Sequence, residues 1–170
     1  MENKVVLITG GAGGIGKATA QLFLEHGAKV VLVDISEEAL EKTKVELEGK
    51  KENILTVQAD VTNEEDVKNY VQQTVDAFGK IDVFFNNAGI NGPFKDIKDL
   101  ERETFAQILN INVTGVFLGL KHVIRQMEKQ GYGSIINTAS NAAYIGSPGM
   151  AGYIASKHAV AGLTKTAALE

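Results

Sequence analysis

Five short runs of mostly apolar residues recur along the chain, and longer stretches with helical periodicity separate them. The runs span residues 5–9, 29–33, 54–59, 81–85 and 134–138. Continuous apolar runs of this length are typical of strands that are buried on both faces of a parallel sheet. Strand–helix alternation predicts a Rossmann-type, doubly wound α/β sheet with right-handed crossovers and helices on both faces. We expect the strand order 3-2-1-4-5.

The third intervening stretch shows the helical pattern most clearly. Its apolar face is formed by Val67, Tyr70, Val71, Thr74, Val75 and Phe78. Thr62 and Glu65 stand at capping-box spacing just before this face. We therefore predict that a capping box opens this helix.

An asparagine interrupts the apolar stripe of the fourth helical stretch, roughly Glu101 to Gln130. Asn112 falls within that stripe, and a buried amide is costly unless it finds hydrogen-bond partners. Asn112 could bond to backbone and bend the helix, or the bent helix could hold a water that passes protons to Lys157. The two interpretations are compatible, and both stay open.

Composition excludes several classes of function. A length of 170 residues suits one domain, residues 1–170. The absence of cysteine rules out disulfides and thiolate chemistry, and the net charge of −4 without a basic stripe argues against nucleic acid. No apolar run approaches the ~20 residues that span a bilayer. We expect a cytoplasmic protein with no membrane or metal partner, and histidines His26 and His122 on helix surfaces.

The first predicted strand runs directly into a glycine-rich turn, residues 9–16, and a helical pattern follows. Glycines permit a tight turn and let the backbone approach a pyrophosphate. The helix N-terminus then offers free N–H groups and the positive end of its dipole. The position between strand and helix favours a dinucleotide site over a flexible turn. The candidate contacts are Gly10, Gly14, Ile15 and Gly16.

An acidic residue, Asp34, ends the second predicted strand about 20 residues after the glycine turn, where a ribose-binding carboxylate belongs. It could accept hydrogen bonds from both ribose hydroxyls and would repel a 2′-phosphate. No lysine or arginine follows directly, and Gly13 offers no cation inside the turn. We therefore predict NAD rather than NADP. The alternative, that Asp34 only caps the next helix, is weaker because Ser36 is the better-placed cap.

Tyr153 and Lys157 are four residues apart in a predicted helix, so their side chains share one face. A neighbouring ammonium favours the phenolate and lowers the pKa of a phenol from about 10. Such a pair could move a proton to or from a substrate oxygen. Ser140 follows the fifth strand, at the sheet edge where ligands bind, and could hydrogen-bond that oxygen. Ser147 and Ser156 lie nearby, and we expect Ser156 to point elsewhere on the helix.

Taken together and in this order, these residues resemble the short-chain dehydrogenase/reductase family over essentially the whole chain. The family's Thr-Gly-x-x-x-Gly-x-Gly motif matches Thr9, Gly10, Gly14 and Gly16, and its acidic NAD selector matches Asp34. Its adenine-contacting pair matches Asp60-Val61. Its Asn-Asn-Ala-Gly motif, which steadies the sheet and lines the cofactor cleft, matches Asn86, Asn87, Ala88 and Gly89.

The resemblance implies a reversible hydride transfer between NAD and a secondary alcohol or ketone, without a metal. It implies that Tyr153 is the acid/base and that Lys157 lowers its pKa and binds the nicotinamide ribose. Ser140 would orient the substrate oxygen, and Asn112 would support a proton relay. The resemblance also implies a homodimer or homotetramer that pairs the fourth and fifth crossover helices across subunits.

Family members typically continue for about half of this length again, with strands six and seven and a substrate lid. We therefore expect a fragment of a longer chain, with the fifth strand left as a sheet edge. Two alternatives to the alcohol dehydrogenase remain. One is an inactive, truncated NAD-binding module, and the other is a 3-oxoacyl-thioester reductase of fatty-acid synthesis, which Asp34 and Gly13 oppose.

Overall fold

A computed structural model describes residues 1–47 and 51–170. Its strands are β1 (Val5–Thr9), β2 (Lys29–Asp34), β3 (Ile54–Gln58), β4 (Val83–Asn86) and β5 (Ser134–Asn137). Its α-helices are α1 (Gly14–Glu25), α2 (Glu37–Glu46), α3 (Glu64–Phe78), α4 (Arg102–Leu109), α5 (Gly115–Gln130) and α6 (Ala151–Ala167). Strands and helices alternate along the chain as the apolar pattern predicts.

The strands form one parallel sheet in the order β3-β2-β1-β4-β5, which confirms the predicted α/β class and strand order. Alternate residues of the central strands point to opposite faces. Leu7, Val31 and Phe84 pack with α3 and α5 on one face, whereas Ile8 and Leu32 pack with α1 and α2 on the other. Both faces are therefore covered by helices. Because of this cover, the central strands β1 and β2 are buried along nearly their whole length.

The fourth strand begins two residues later than the apolar run suggests. Ile81 is fully buried, but its backbone N–H and C=O pair with the side-chain amide of Gln130 at 2.9 Å each. An amide from α5 therefore takes the place of a neighbouring strand. The predicted run from residue 81 was correct about burial, and from Asp82 onward its backbone bonds to both neighbouring strands; among the described residues of this run, only Ile81 lacks a strand partner.

The predicted capping box before α3 is wrong. Asn63 is the N-cap, and its side chain accepts a hydrogen bond from the Glu65 N–H at 2.9 Å. Thr62 instead donates its N–H and its hydroxyl to Asp60 Oδ1, both at 2.8 Å. The carboxylate of Asp60 competes successfully for the threonine, so the cap moves one residue along the chain.

The fourth helical stretch is continuous but not regular. Between α4 and α5 lies a π-helical turn, Asn110–Thr114, whose following residue Gly115 donates its N–H to the Asn110 carbonyl. Such single π-helical turns are rare and occur frequently at functional sites. The predicted bend at Asn112 is thus present as a widened helical turn.

His122 is buried, and the prediction that it lies on a helix surface is wrong. Its Nε2 lies 2.8 Å from Glu64 Oε1, the same oxygen that accepts a hydrogen bond from Lys121 Nζ at 2.6 Å. Glu64 opens α3, and Lys121 and His122 lie on α5, so this cluster ties two neighbouring helices together. The Lys121 bond first, and then the His122 bond, lower the pKa of Glu64 from 4.5 to about 2.

Strand β5 forms one edge of the described sheet, and its Ile136 side chain is 47% exposed. Among the described residues, no helix has the length and apolar character needed to cross a membrane.

The lowered pKa of Glu64 predicts an acid-dependent loss of stability. A carboxylate with a depressed pKa in the folded state stabilises the fold above its unfolded pKa, and that contribution disappears as the pH falls through the folded value. We expect Glu64→Gln to lower the free energy of unfolding at neutral pH. The gap to the unmodified protein should close between pH 4.5 and about 2, as measured by urea unfolding at each pH.

The control is Glu65→Gln, since Glu65 is more exposed and pairs within its own helix with Lys68. Exposed pairs of this kind contribute little. If Glu64→Gln and Glu65→Gln follow the same pH dependence, the link between α3 and α5 does not stabilise the fold.

Candidate functional site

A cleft of about 390 Å³ opens at the carboxyl end of the sheet. In open α/β sheets ligands bind at this edge. The cleft brings together most of the residues that the sequence predicts to bind a dinucleotide. They are Gly10, Gly14, Ile15, Asp34, Asp60, Val61, Asn87, Ala88 and Gly89, with Gly13, Ile35, Ala59, Ile90 and Ile111 completing the wall.

Gly16 lies beneath this wall and shapes the glycine turn. A Cβ on Gly16 would approach the Gly10 carbonyl oxygen to 2.2 Å, which is well inside any allowed contact. Gly10 itself has φ +63 and is packed against Ala88. A Cβ on Gly14, by contrast, meets nothing within 4 Å and faces open space. The turn thus requires glycine at positions 10 and 16 for its own geometry, whereas at position 14 it leaves room for a ligand.

The first turn of α1 is available to an anion. Its N-cap, Gly13, has no side chain that could cap the helix. The free N–H groups and the positive end of the helix dipole are therefore directed at the cleft. This is the arrangement that the sequence predicts for a pyrophosphate.

Asp34 stands at the end of β2, where it connects the glycine turn with α2. Its carboxylate accepts hydrogen bonds from the Ala12 N–H at 3.2 Å and the Ser36 N–H at 3.4 Å. The true cap of α2 is Ser36, whose hydroxyl accepts the Ala39 N–H. Asp34 is therefore not needed as a helix cap, as the sequence suggests. Its side chain lines the cleft.

Asn87 joins three strands at the floor of the cleft. Its N–H donates to Thr9 Oγ1 at 2.9 Å, and its side-chain Nδ2 donates to the Thr9 carbonyl at 3.1 Å. Its Oδ1 accepts a hydrogen bond from the Thr138 hydroxyl at 3.1 Å. One asparagine thus ties the ends of β1, β4 and β5 together. Asn86 continues the link to α5 through the Val116 carbonyl.

Asn112 occupies the π-helical turn and is 1% exposed. Its Oδ1 accepts the Ile90 N–H and its Nδ2 donates to the Ile90 carbonyl, both at 2.8 Å. The structural interpretation of Asn112 therefore holds, because the amide bonds to backbone and the helix is distorted around it. Asn112 Oδ1 also borders Gly89, at 3.1 Å from the position of a Cβ there.

Lys157 and Tyr153 lie one turn apart on α6. The Lys157 amine lies 5.5 Å from the centre of the Tyr153 ring. It also borders Gly89 and donates a hydrogen bond to the Thr138 carbonyl at 2.7 Å. Burial lowers the pKa of Lys157 below its usual value of 10.5. A desolvated amine is therefore held beside the Tyr153 ring and next to Gly89, which lines the cleft, although neither Tyr153 nor Lys157 is itself among the lining residues.

Ser140 follows β5 as predicted, but its hydroxyl is already engaged. It accepts a hydrogen bond from the Ala142 N–H at 3.2 Å and donates to Asn141 Oδ1 at 3.1 Å. The second bond connects neighbouring residues at the surface, so a ligand oxygen could replace Asn141 as its acceptor. Tyr144, four residues after Ser140, is 77% exposed.

Sequence reasoning missed one residue of this site, Ser156. Its side chain is fully buried and accepts a hydrogen bond from Asn112 Nδ2 at 3.0 Å. A signal existed, because Gly152, Ser156 and Val160 are spaced four residues apart and form the packed face of α6. A serine in the middle of such a face needs a partner, as the asparagine does.

The sequence model for short chain dehydrogenases matches residues 4–170. The chain is 47% identical to secoisolariciresinol dehydrogenase of Forsythia intermedia and 44% identical to levodione reductase of Leifsonia aquatica, covering 100% and 99% of this chain. It covers 61% and 64% of those relatives. The crystal structure of NAD⁺-bound xylitol dehydrogenase superimposes with a TM-score of 0.94 at 47% identity, over 99% of this chain and 65% of that one.

This chain belongs to the short-chain dehydrogenase family. It spans about 60% of the length of the curated relatives it matches. Short-chain dehydrogenases bind nicotinamide cofactors, and the residues present fit such a group. The uncapped helix N-terminus suits a pyrophosphate, the open space at Gly14 admits it, and Asp34 offers acceptors for a ribose. Among the described residues, no cluster of His, Asp or Glu could hold a metal ion.

Alanine substitutions at Gly16 and Gly14 in the glycine turn should have opposite effects on stability. We expect Gly16→Ala to lower the free energy of unfolding by about 1–3 kcal/mol, since the turn must shift to admit a Cβ. Gly14→Ala should leave it unchanged or raise it, because alanine is the better helix former by about 1 kcal/mol. Urea unfolding of both variants tests this. Equal losses of stability in the two variants would contradict the close packing of Gly16 on Gly10.

Proposed function

We propose that this chain carries the cofactor-binding and acid–base parts of an NAD-dependent oxidoreductase that interconverts a secondary alcohol and a ketone. The observation that carries the proposal is the buried Lys157 amine, which lies beside the Tyr153 ring and next to Gly89 in the cleft wall. The relatives include enzymes named as dehydrogenases and reductases of alcohols and ketones, which supports the same reaction class.

NAD is favoured over NADP by the charges around the cleft. Asp34 and Asp60 both line it, and no lysine or arginine does so among the described residues. Lys17, in the first turn of α1, is paired with Glu46 at the end of α2. A 2′-phosphate would therefore meet a carboxylate without a compensating cation. The related xylitol dehydrogenase structure is described as NAD⁺-bound.

When bound, the nicotinamide ring accepts or supplies the hydride. Tyr153 takes the hydroxyl proton of the alcohol in oxidation and returns it in reduction. The ammonium of Lys157 would favour the phenolate form by its charge and would also hold the nicotinamide ribose. The hydroxyl of Ser140 donates a hydrogen bond to the substrate oxygen once it leaves Asn141. Asn112 holds the π-helical turn beside Lys157 and supports the path by which protons return.

Assembly into a homodimer or homotetramer through α5 and α6 also forms part of the proposal. Phe117 on α5 is 47% exposed, although its neighbours Val116 and Leu120 are buried against α6. The apolar surface of α5 thus exceeds what the interior covers. A cytoplasmic location stays a prediction of the sequence.

Removal of the Asp34 charge should weaken cofactor discrimination. We expect Asp34→Asn to reduce NAD affinity roughly ten- to hundredfold, the range for hydrogen bonds to a charged group. NADP affinity should rise because the repulsion is gone. Fluorescence titration with NADH and NADPH measures both. Glu38→Gln, an exposed carboxylate in the first turn of α2, is the control. Tighter binding of NADPH than NADH by the unmodified chain would overturn the NAD assignment.

Loss of the Tyr153 hydroxyl should abolish turnover without abolishing binding. We expect Tyr153→Phe to lower kcat by roughly 10²–10⁴-fold, the usual contribution of general acid–base catalysis. NADH affinity should change little. NADH formation on a panel of secondary alcohols gives the rates, and Tyr144→Phe, at an exposed tyrosine, is the matched control. If the unmodified chain binds NADH but oxidises no alcohol, the inactive NAD-binding module replaces the enzyme.

A further inference from the structure

The side-chain amide of Asn112 is fully committed to three hydrogen bonds. Two of them join it to the backbone of Ile90, which follows the Asn-Asn-Ala-Gly segment. The third runs from Nδ2 to Ser156 Oγ at 3.0 Å, between residues that are 44 positions apart in the chain. Because both Nδ2 hydrogens are used, the orientation of this amide depends on the serine as well as on Ile90.

Ser156 also hydrogen-bonds to the backbone of Tyr153, the residue that carries the phenol. Its hydroxyl donates to the Tyr153 carbonyl at 2.7 Å while its oxygen accepts from Asn112. Ser156 is 0% exposed, so water does not replace either partner. The hydroxyl therefore stands between the π-helical turn and the turn of α6 that holds Tyr153 and Lys157.

We propose that Ser156 is a positioning residue, which sets the Tyr153–Lys157 turn of α6 relative to Asn112 and the floor of the cleft. The proposal rests on the proposed function, because it concerns the alignment of the same acid–base pair. Ser156 touches neither substrate nor cofactor. It acts by holding Asn112 on one side and the backbone of Tyr153 on the other.

The plain alternative is that Ser156 is an ordinary helix serine that bonds back to its own helix. Serine and threonine commonly do this, and Thr164 on the same helix is an example. Thr164 Oγ1 donates to the Val160 carbonyl at 2.8 Å and accepts from Asn137 Nδ2 at 3.0 Å. The two hydroxyls thus have the same bonding pattern, but Thr164 lies about three helical turns away from Tyr153. This difference makes Thr164 a matched control.

Close packing between helices accompanies the Asn112–Ser156 hydrogen bond. Gly152 lies one turn before it, and a Cβ there would approach Ile108 Cδ1 to 2.8 Å. Helix α6 therefore approaches α4 closely at Gly152, and one turn later it contacts the π-helical turn through the Asn112–Ser156 hydrogen bond. An alanine at position 156 would keep the close approach but would leave an Asn112 N–H buried without an acceptor, which is costly.

The experiment compares Ser156→Ala with Thr164→Val in the full 170-residue chain. Tyrosine is labelled with ¹³C at the ring carbon that bears the hydroxyl, and Tyr153→Phe identifies the resonance of Tyr153. We expect Ser156→Ala to change the chemical shift of the Tyr153 resonance, because the backbone of Tyr153 loses its hydrogen bond to Ser156. Thr164→Val should leave the Tyr153 resonance in place. This reading needs no turnover, so it is independent of whether the chain is active.

Kinetics supply the second reading. We expect Ser156→Ala to lower kcat at least about fivefold, the size of one lost buried hydrogen bond. The KM for NAD should stay within about twofold, because the glycine turn is untouched. The double variant Ser156→Ala/Asn112→Ala should be no slower than Asn112→Ala alone if the serine acts through the asparagine. If Ser156→Ala fails to fold, Ser156→Cys, which keeps the volume and weakens the hydrogen bonds, is measured by the same criteria.

Two results would overturn the proposal. One is an unchanged Tyr153 resonance in a Ser156 variant whose thermal stability alone has fallen, which shows a purely structural serine. The other is an equal effect of Thr164→Val on Tyr153. An unmodified chain that oxidises no alcohol would instead contradict the proposed function, and the resonance comparison would still decide the role of Ser156.

Discussion

Side-chain amides hold together the carboxyl end of the sheet, and the cleft depends on them. Parallel strands end there with backbone groups that have no further strand partner, and each buried group must be satisfied. Asn87 hydrogen-bonds to residues at the ends of β1 and β5, Asn86 hydrogen-bonds to α5, and Asn112 hydrogen-bonds to the backbone of Ile90. An asparagine can donate and accept at once, so each one bridges two elements. These amides consequently make the edge polar without adding charge to it.

The acid–base pair is attached to this amide framework. Lys157 donates to the carbonyl of Thr138, and the hydroxyl of the same threonine donates to Asn87. The position of the amine is thus coupled to the strand ends that form the cleft floor. Burial lowers the pKa of Lys157, and the threonine carbonyl offers the amine a partner in place of water. The phenol next to it is therefore placed by the sheet and by α6 together.

Sequence reasoning predicts the elements of this protein better than their hydrogen bonds. Apolar runs and glycine spacing depend on local chain properties, so the sheet order and the residues that line the cleft could be foreseen. The N-cap of α3 could not be foreseen, because the Thr62 hydroxyl hydrogen-bonds to Asp60 instead of capping the helix. His122 and Ser156 were misjudged for a similar reason. Their partners, Glu64 and Asn112, are remote in sequence, and only the packing of two helices brings them together.

The glycines of α5 show how helix packing and the amide framework depend on each other. A Cβ on Gly119 would lie 2.9 Å from Phe84 and 3.1 Å from the Asn86 amide, and one on Gly115 would lie 2.9 Å from Val61 in the cleft wall. Glycine within a helix costs about 1 kcal/mol relative to alanine. In return α5 approaches β4 closely enough for Asn86 to bond the Val116 carbonyl. The π-helical turn that precedes Gly115 places Asn112 at the same level. A helix with larger residues would stand further from the sheet, and both amides would then lose their backbone partners.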